Sequence, residues 1–357
     1  MTSPNAGKAV SDLPLGKFSR IHMNQQIEFS DGNIPVSVAV IIPAYRVEAE
    51  IEVVIRTLPS YVTHIIVVDD ASPDRTSEVV AQLTQDEPRL VLIRHEHNQG
   101  VGGAMISGFS KALELKAQIV VKVDGDGQMD PAYILDLITP LLENAADYTK
   151  GNRFRDFVAL RQMPIVRRFG NLALGFLTKI ATGYWSIFDP TNGFIAIRAE
   201  TLSQLPMERI ARTYYFETSM LAELYLIDAC IQDVPMPARY AEEKSNLHIR
   251  WILFEFPLRL MVTFLRRIVL KYFLYDISVS SIYLLGGVPL LLFGLVFGSI
   301  KWWKYASLNI PAPTGTVVLP MMCVLLGIQF LLSAIQIDIQ AVPRIPHHSK
   351  RTSGKFI

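Results

Sequence analysis

The sequence IVVKVDGDGQMDP at residues 119–131 decides how the chain is interpreted. It opens on apolar β-branched residues, which are typical of a strand buried in a parallel sheet. Its glycines and Pro131 indicate the turn at which the strand ends. Asp124 and Asp126 stand two residues apart, so in an extended segment both carboxylates face one side and can converge on a cation. A polar turn built from ordinary turn residues is the competing interpretation.

Three earlier segments repeat this strand pattern, and a helix-like segment follows each one. The predicted strands cover residues 36–42, 64–68 and 90–93. This alternation predicts βαβ units around a mostly parallel sheet, whose ligands bind beyond the carboxyl ends of the strands. Three strand ends carry clusters of polar or small residues, which predicts one shared site: Pro43-Ala44-Tyr45, Asp69-Asp70 and Asp124-Gly125-Asp126.

The composition of the 357 residues limits the class of protein. Half of them are hydrophobic, which is a high share for a purely soluble enzyme. The net charge of +1 gives no reason to expect a nucleic-acid partner. Cys230 and Cys323 stand far apart, so neither a disulfide framework nor a zinc site is expected, and a reducing compartment fits. His95 and His97 are metal ligands by residue type, but a solvent-facing loop is the simpler interpretation.

The C-terminal third of the sequence predicts attachment to a membrane. Residues 247–276 combine apolar residues with Arg and Lys, as in an amphipathic helix lying in the membrane interface; a basic helix packed on the domain is the alternative. Residues 277–300 and 314–338 each have the length and composition of a transmembrane helix. A short loop between them is expected to carry Lys301 to Tyr305, whose tryptophans would form an aromatic anchor.

Charge predicts the orientation of this hairpin. Lys and Arg are denser on its outer flanks, including the basic tail at residues 339–357, than in its loop. The positive-inside rule then predicts an integral membrane protein with its soluble domain on the cytoplasmic face. Residues 1–34 are interpreted as a loosely ordered arm without the apolar core of a signal peptide. Basic residues of the interfacial segment are expected to attract a lipid phosphate: Arg250, Arg259, Arg266, Arg267 and Lys271.

Five motifs occur together, in one order, along residues 36–245. The most specific is Asp124 to Pro131, which matches the pattern D-x-D-x-Q-x-x-P; the others lie at residues 67–76, 98–102, 151–154 and 189–194. With these motifs the chain resembles the family 2 nucleotide-sugar glycosyltransferases with a GT-A fold. Among them it is similar to the polyprenyl-phosphate glycosyltransferases, the group that includes dolichyl-phosphate mannose synthase. The resemblance implies a Rossmann-like, mostly parallel α/β domain at residues 35–246, followed by the amphipathic interfacial helices and the two-helix membrane hairpin.

The resemblance also implies roles for individual residues. Asp124, Asp126 and Gln128 would hold Mg²⁺ or Mn²⁺, and Gly125 would let the diphosphate approach the backbone. Arg153 would meet the diphosphate or the phosphate of the acceptor. Four residues would hold the base and ribose of the nucleotide: Pro43, Tyr45, Val67 and Asp69. Two residues near the end of the domain would fold over the donor: Arg239 and Lys244.

Asp189 stands where the family has a candidate base for the acceptor. Because a phosphate acceptor is already anionic, the carboxylate could instead orient the acceptor or the sugar. An N-cap or Asx-turn before Pro190 is the structural alternative. The segment Pro43 to Val47 departs from the family pattern, because it lacks the carboxylate that commonly reads the base; Glu48 is the substitute. The choice between GDP and UDP therefore stays open.

Together these inferences predict a membrane-anchored, metal-dependent inverting glycosyltransferase. It would move a hexose from a nucleotide sugar of the GDP-mannose or UDP-glucose type to a polyprenyl or dolichyl phosphate. The alternative is a non-catalytic membrane scaffold that binds a nucleotide sugar or partner membrane proteins, and the intact carboxylate motif argues against it. A phospho-accepting receiver domain, which Val67 to Asp70 resemble, does not suit the length and the hairpin. The sequence leaves the oligomeric state open, and a homo-oligomer is compatible with it.

Overall fold

A mostly parallel sheet organises the first two thirds of the chain. The structure is a computed structural model that describes residues 34–153, 165–237 and 249–352. The order of the strands is β3-β2-β1-β4-β6-β5-β7, and within the described residues only β6 runs antiparallel to its neighbours. The strands are β1 (Val38–Ala44), β2 (His64–Asp69), β3 (Leu90–Arg94), β4 (Ile119–Lys122), β5 (Tyr148–Asn152), β6 (Ile195–Arg198) and β7 (Ile231–Pro235).

The central strands are buried on both faces. In β1, Val38, Val40 and Ile42 pack in one core cluster, whereas Ala39 and Ile41 pack in a second one. This division follows the alternation of side chains along a strand. Each buried aliphatic side chain contributes roughly 2 kcal/mol relative to leaving it in water. Burial on both faces explains why the sequence of β1 is a continuous apolar run.

Helices cover the two faces of the sheet. Ile51 and Ile134 belong to the cluster on one face, and Phe109 and Met220 to the cluster on the other. Short 3₁₀ turns at Pro131–Tyr133 and Met207–Arg209 lie between the helices of this domain. The helices of the domain are α1 (Ile51–Arg56), α2 (Thr76–Leu83), α3 (Val101–Glu114), α4 (Ile134–Leu142), α5 (Ile165–Thr182), α6 (Ala199–Leu202) and α7 (Phe216–Leu226).

Gly102 lets the start of α3 contact the backbone of a neighbouring segment. A Cβ atom at this position would lie 2.0 Å from the carbonyl oxygen of Ala211. Backbone atoms cannot rotate away, so we expect Gly102→Ala to destabilise the protein by about 1–3 kcal/mol, the usual cost of overpacking. Thermal unfolding of the two proteins measures this difference. Gly170→Ala is the matched control, because nothing lies within 4 Å of its Cβ position; an equal loss in both variants would contradict the prediction.

Two long apolar helices, α9 (Val279–Ser307) and α10 (Thr314–Gln340), pack against each other as a hairpin. A Cβ atom on Gly327 would lie 2.7 Å from the backbone nitrogen of Leu291, so the two backbones approach closely. By length and composition, each helix is suited to cross a membrane. They follow α8 (Ile249–Val269) and a π-helical turn at Leu270–Tyr275.

The loop of the hairpin differs from the prediction. Lys301 to Tyr305 were expected in the loop, but they belong to α9, which continues to Ser307. The connection consists of residues 308–313 instead. The reason is that residues 301–310 contain no proline or glycine, whereas Pro311 and Pro313 lack the N–H group that a helix requires.

The basic residues before the hairpin are largely paired within the protein. Arg267 is 1% exposed and pairs with Asp338 at 2.6 Å, while Arg266 contacts Glu223. The expectation that Arg267 attracts a lipid phosphate is wrong, because its guanidinium is buried and neutralised by a carboxylate distant in sequence. The side chain of Arg250 lies outside those described. Two further pairs both measure 2.6 Å: Arg259 with Glu255, and Lys271 with Asp228.

The chain after the hairpin returns to the α/β domain. The backbone N–H of His347 donates to the carboxylate of Asp147 at 2.9 Å, and its ring Nε2 lies 2.8 Å from the carbonyl oxygen of Ile227. A last helix, α11 (His347–Thr352), starts there. Both outer ends of the hairpin therefore adjoin the same domain, which is the arrangement that the charge pattern requires.

Candidate active site

The turns after β1, β2 and β4 leave the sheet at the same edge. Ala44 pairs in register with Asp69, and Ile41 pairs with Lys122. A Cβ atom on Gly125 would lie 3.4 Å from the carbonyl oxygen of Pro43. The sheet thus brings Pro43, Asp69 and Gly125, three of the residues expected to bind the donor, to one edge.

The residues expected to hold the nucleotide differ in exposure. Tyr45 is 43% exposed, and the guanidinium of Arg46 lies 5.3 Å from the centre of its ring. Arg46 has a φ of 58°, so the turn is left-handed there. The side chain of Val67 is buried in the core cluster. A nucleotide could therefore contact the ring of Tyr45 directly, but not the side chain of Val67.

Asp69 is completely buried at the end of β2. Its Oδ1 accepts a hydrogen bond from the backbone N–H of Ser72 at 3.0 Å. Its Oδ2 has no hydrogen-bond donor among the described residues and lies 3.6 Å from Nε of the exposed Arg94. One oxygen of Asp69 thus retains the capacity to accept a hydrogen bond.

Glu48, the suggested substitute for the missing carboxylate, has a structural contact. Its Oε2 accepts from the backbone N–H of Arg75 at 2.9 Å, and its own N–H donates to Asp74 at 3.3 Å. The carboxylate therefore binds the backbone at the start of α2. This contact uses one of the two carboxylate oxygens of Glu48.

The interpretation of His95 as a solvent-facing residue is wrong. Its ring is buried, with Nδ1 2.7 Å from Oδ1 of Asp70 and Nε2 2.8 Å from the hydroxyl of Ser107. Asp70 also accepts from the backbone N–H groups of Gln99 and Gly100, at 2.8 and 2.7 Å. These contacts hold the motif at residues 98–102 against the end of β2. His97 is exposed, as expected.

The two motif carboxylates line a cavity of about 210 Å³. Oδ1 of Asp124 lies 2.6 Å from Nζ of Lys122, and Oδ1 of Asp126 accepts from the backbone N–H of Gln128 at 3.0 Å. Gln128 and Arg153 line the same cavity. The cavity thus combines carboxylate and amide oxygens with a guanidinium group.

These oxygens fit a hard divalent cation. Mg²⁺ and Mn²⁺ prefer oxygen ligands, and Mg²⁺ is often held by one or two carboxylates together with substrate phosphates. Among residues 34–153, 165–237 and 249–352, no group of three or more His, Cys, Asp or Glu side chains is placed to hold a metal. Asp124, Asp126 and Gln128 therefore offer part of a coordination shell, which phosphate oxygens and water would complete.

A buried lysine pair supports the cavity, although no sequence motif indicates it. Lys122 lies between Asp124 and Glu217, with its Nζ 3.6 Å from Oε1 of Glu217. A Cβ atom on Gly193 would lie 2.4 Å from the same Nζ, so a larger residue there would displace the lysine ammonium group. Lys150 donates to the carbonyl oxygen of Asn192, and burial lowers its pKa to about 8. For Lys122 the available signal was a lysine inside an apolar strand run, whereas the polar residues around Lys150 gave no such signal.

Arg153 and Asp189 form one unit beside the cavity. Nε of Arg153 donates to Oδ2 of Asp189 at 2.8 Å, and an Nη atom donates to Oδ1 at 3.2 Å. Asp189 is 0% exposed, so its carboxylate is committed to the guanidinium. Within the part of the chain that the structure describes, this side chain accepts from Arg153 and forms neither an Asx-turn nor an N-cap. The arrangement suits a carboxylate that orients Arg153. Arg239 and Lys244 lie outside the described residues.

Asp233 provides a pH-dependent contribution to stability next to this pair. Burial raises its pKa to about 6 from an ordinary 3.8, although the backbone N–H of Phe188 donates to it at 2.8 Å. The folded state then binds the proton more tightly, so stability is lost as pH rises from about 4 to 6. We expect Asp233→Asn to abolish this component. Thermal unfolding from pH 4 to 7 measures it; the exposed Asp86→Asn, as control, should keep the wild-type profile, and an unchanged profile in Asp233→Asn would refute the assignment.

The chain belongs to glycosyltransferase family 2. The sequence model described as Glycosyl transferase family 2 matches residues 39–205, the part that contains the sheet up to β6 and the cavity carboxylates. The resemblance drawn from the motifs is therefore confirmed. So is the fold class, a GT-A-type α/β domain with a mostly parallel sheet, followed by two apolar helices.

The chain matches most of the length of two named relatives. The chain is 33% identical over 215 residues to UDP-N-acetylglucosamine–dolichyl-phosphate N-acetylglucosaminyltransferase of Methanococcus voltae, covering 57% of this chain and 85% of the relative. It is 28% identical over 202 residues to undecaprenyl-phosphate mannosyltransferase of Micrococcus luteus, covering 56% and 82%. A solved structure, glucosyl-3-phosphoglycerate synthase of Mycobacterium tuberculosis with Mn²⁺ and UDP, superposes with a TM-score of 0.49 at 21% identity, covering 65% of this chain and 80% of that one.

Proposed function

We propose that this protein is a membrane-anchored glycosyltransferase that moves a sugar from a nucleotide diphosphate sugar to a polyprenyl phosphate. The observation that carries the proposal is the cavity shared by Asp124, Asp126, Gln128 and Arg153. It offers oxygen ligands for a cation and a guanidinium for a phosphate at the carboxyl edge of the sheet. The relatives named for transfer to dolichyl and undecaprenyl phosphate support the choice of acceptor.

The nucleotide would bind over the ends of β1 and β2. The exposed ring of Tyr45 offers an apolar face for the base. Oδ2 of Asp69 would accept a hydrogen bond from a ribose hydroxyl once the exposed side chain of Arg94, now 3.6 Å away, moves aside. Both roles use groups that are available at the edge where the strands end.

The diphosphate would bind between the motif carboxylates and Arg153. A divalent cation held by Asp124, Asp126 and Gln128 would supply positive charge to the leaving diphosphate. Lys122 fixes the carboxylate of Asp124 through Oδ1 at 2.6 Å, which leaves Oδ2 as the ligand oxygen. Arg153 would stabilise the negative charge that grows on the phosphates as the sugar departs. Because Asp189 holds its guanidinium from two nitrogens, Arg153 is oriented before the substrate arrives.

The acceptor chemistry agrees with the state of Asp189. A polyprenyl phosphate already carries an anionic oxygen, so the attack on the sugar needs no strong base. Asp189 is buried and bound to Arg153, and it therefore acts as a positioning residue. Direct displacement at the sugar carbon inverts its configuration. The sugar itself depends on a few hydrogen bonds within the donor pocket, and the relatives differ in this respect.

The bilayer would be both anchor and substrate reservoir. The helices α9 and α10 have the length and composition of transmembrane helices. Apolar side chains are also exposed on α5 and just after it, where Leu172 and Phe188 are both 60% exposed. The excess of Lys and Arg on the outer flanks favours the cytoplasmic face for the domain.

One assay tests the proposal. The full chain is placed in lipid nanodiscs that contain a polyprenyl phosphate, and radiolabelled UDP-N-acetylglucosamine, UDP-glucose and GDP-mannose are supplied separately. We expect at least one donor to yield a labelled lipid extractable into organic solvent, and we expect removal of divalent ions with EDTA to abolish it. Nanodiscs with polyprenol instead of its phosphate are the control. Binding of nucleotide sugars without any transfer would instead support the scaffold alternative.

A further inference from the structure

A buried carboxylate at the end of α10 collects hydrogen bonds from several parts of the protein. Asp338 is 5% exposed. Its oxygens accept from two Nη atoms of Arg267 at 2.6 and 3.1 Å, from the hydroxyl of Tyr272 at 2.6 Å, and from Nε1 of Trp185 at 3.0 Å. A side chain of the apolar hairpin is thus bound to the π-helical turn, to α8 and to the loop after α5.

Arg267 extends the same network into the α/β domain. Its Nε donates to the carbonyl oxygen of Ala181 at 3.1 Å, and its Nη2 donates to that of Ile180 at 2.9 Å. The guanidinium also lies 5.0 Å from the centre of the Tyr225 ring in α7. A buried ion pair is stable only when its remaining polar atoms are also bonded, and here they are. The hairpin is therefore joined to the domain in one fixed orientation.

The segment at residues 185–189 leads from this network to the cavity. At one end Trp185 is hydrogen-bonded to Asp338. In its middle part, the N–H of Phe188 donates to Asp233 at 2.8 Å. At its other end Asp189 accepts from two nitrogens of Arg153, the guanidinium that lines the cavity. The segment is thus short and hydrogen-bonded at both ends, which is the geometry needed for a displacement of Trp185 to reach Asp189.

We propose that Asp338 is a positioning residue for sugar transfer, which sets Arg153 through Trp185 and Asp189. This inference rests on the proposed function, and it adds a residue of the membrane hairpin to the machinery of the active site. The acceptor arrives from the bilayer that the hairpin occupies. A link from the hairpin to Arg153 fixes the position of the phosphate-binding guanidinium relative to the membrane surface from which that acceptor comes.

The test uses the full chain in nanodiscs and two ways of breaking the link. Trp185→Phe removes the Nε1 donor together with the volume of one indole ring and keeps an aromatic side chain. The double variant Arg267→Met/Asp338→Leu replaces the buried ion pair with apolar side chains of similar size, a change that folded proteins often tolerate. The control is Gln336→Ala, an exposed position of the same helix.

Two measurements are made on each variant. Hydrogen–deuterium exchange of the amides at residues 186–189 reports on the segment without requiring activity. Turnover is measured with a long-chain polyprenyl phosphate and with a short-chain isoprenyl phosphate, and binding of UDP or GDP is measured separately. We expect exchange to rise and kcat to fall, each roughly tenfold, with both acceptors, while the affinity for UDP or GDP, which the cation site and the base contacts also determine, changes less.

Other outcomes overturn the proposal. If exchange at residues 186–189 stayed at the wild-type rate, the segment would not depend on Asp338. If only the long-chain acceptor lost turnover, Asp338 would merely anchor the hairpin. A wild-type protein that transferred no sugar to either acceptor would instead refute the proposed function, and the exchange measurement would still decide whether Asp338 controls the segment.

Discussion

Asp126→Ala is expected to reduce sugar transfer by at least about 100-fold, the loss typical of removing one preorganised electrostatic contact to a transition state. Asp126 lines the cavity with Asp124 and Gln128, so its removal would leave an incomplete set of oxygen ligands for a cation. The backbone N–H of Gln128 would also lose its acceptor. Radiolabel transfer into the lipid extract measures the effect.

A binding measurement distinguishes the loss of the cation site from a general disturbance of the fold. In the wild-type protein, Mn²⁺ is expected to strengthen the binding of UDP or GDP, as followed by calorimetry; in Asp126→Ala that gain should disappear. Asp136→Ala is the matched control, because it removes an exposed carboxylate from the first turn of α4. If Asp126→Ala kept full transfer and the Mn²⁺-dependent gain, the assignment of the cation site would be wrong.

Arg153→Lys is expected to lower kcat about 100-fold, although it keeps the positive charge. A lysine cannot donate to both oxygens of Asp189 as the guanidinium does at 2.8 and 3.2 Å. Asp189→Asn should have a smaller effect, about tenfold, because it weakens the orientation of Arg153 but leaves the guanidinium in place. Steady-state kinetics with a polyprenyl phosphate in nanodiscs measures both.

The double variant tells whether the two residues act as one unit. If Asp189 works through Arg153, the combined variant should be hardly slower than Arg153→Lys alone. A general base would give a different result: Asp189→Asn would then be the more damaging change, and the two effects would multiply. Arg209→Ala, which removes an exposed arginine outside the cavity, is the control.

Local sequence was sufficient to predict the α/β domain. The β-branched run at residues 119–121 and the apolar run of β1 are buried on both faces, and a strand of this kind needs no other signal. The rule that ligands bind beyond the carboxyl ends of parallel strands then brought Pro43, Asp69 and Asp124 to one edge. The break in the pattern, the antiparallel β6, could not be predicted in this way, because nothing within residues 195–198 encodes a direction.

The contacts that sequence could not predict are those between charged residues far apart in the chain. Lys122 belongs to the stretch at residues 119–131, but its partner Glu217 lies in the first turn of α7, far away in the sequence. The sequence predicts that Arg267, as a basic residue of the interfacial segment, attracts a lipid phosphate; only the fold shows that Asp338 neutralises it. Spacing identifies ligands that share a strand or a turn, whereas ion pairs across elements depend on the packing of the whole domain.

The return of the chain to Asp147 after the hairpin has a consequence for substrate choice. With His347 bound there at 2.9 Å and Asp338 bound to Arg267 at 2.6 Å, the hairpin is held to the domain at two points. If the two apolar helices span the bilayer as proposed, the fold sets the height of the cavity above the membrane. Such an enzyme would select its lipid by the phosphate that reaches that height and would accept isoprenoid tails of many lengths, since the tail remains in the membrane.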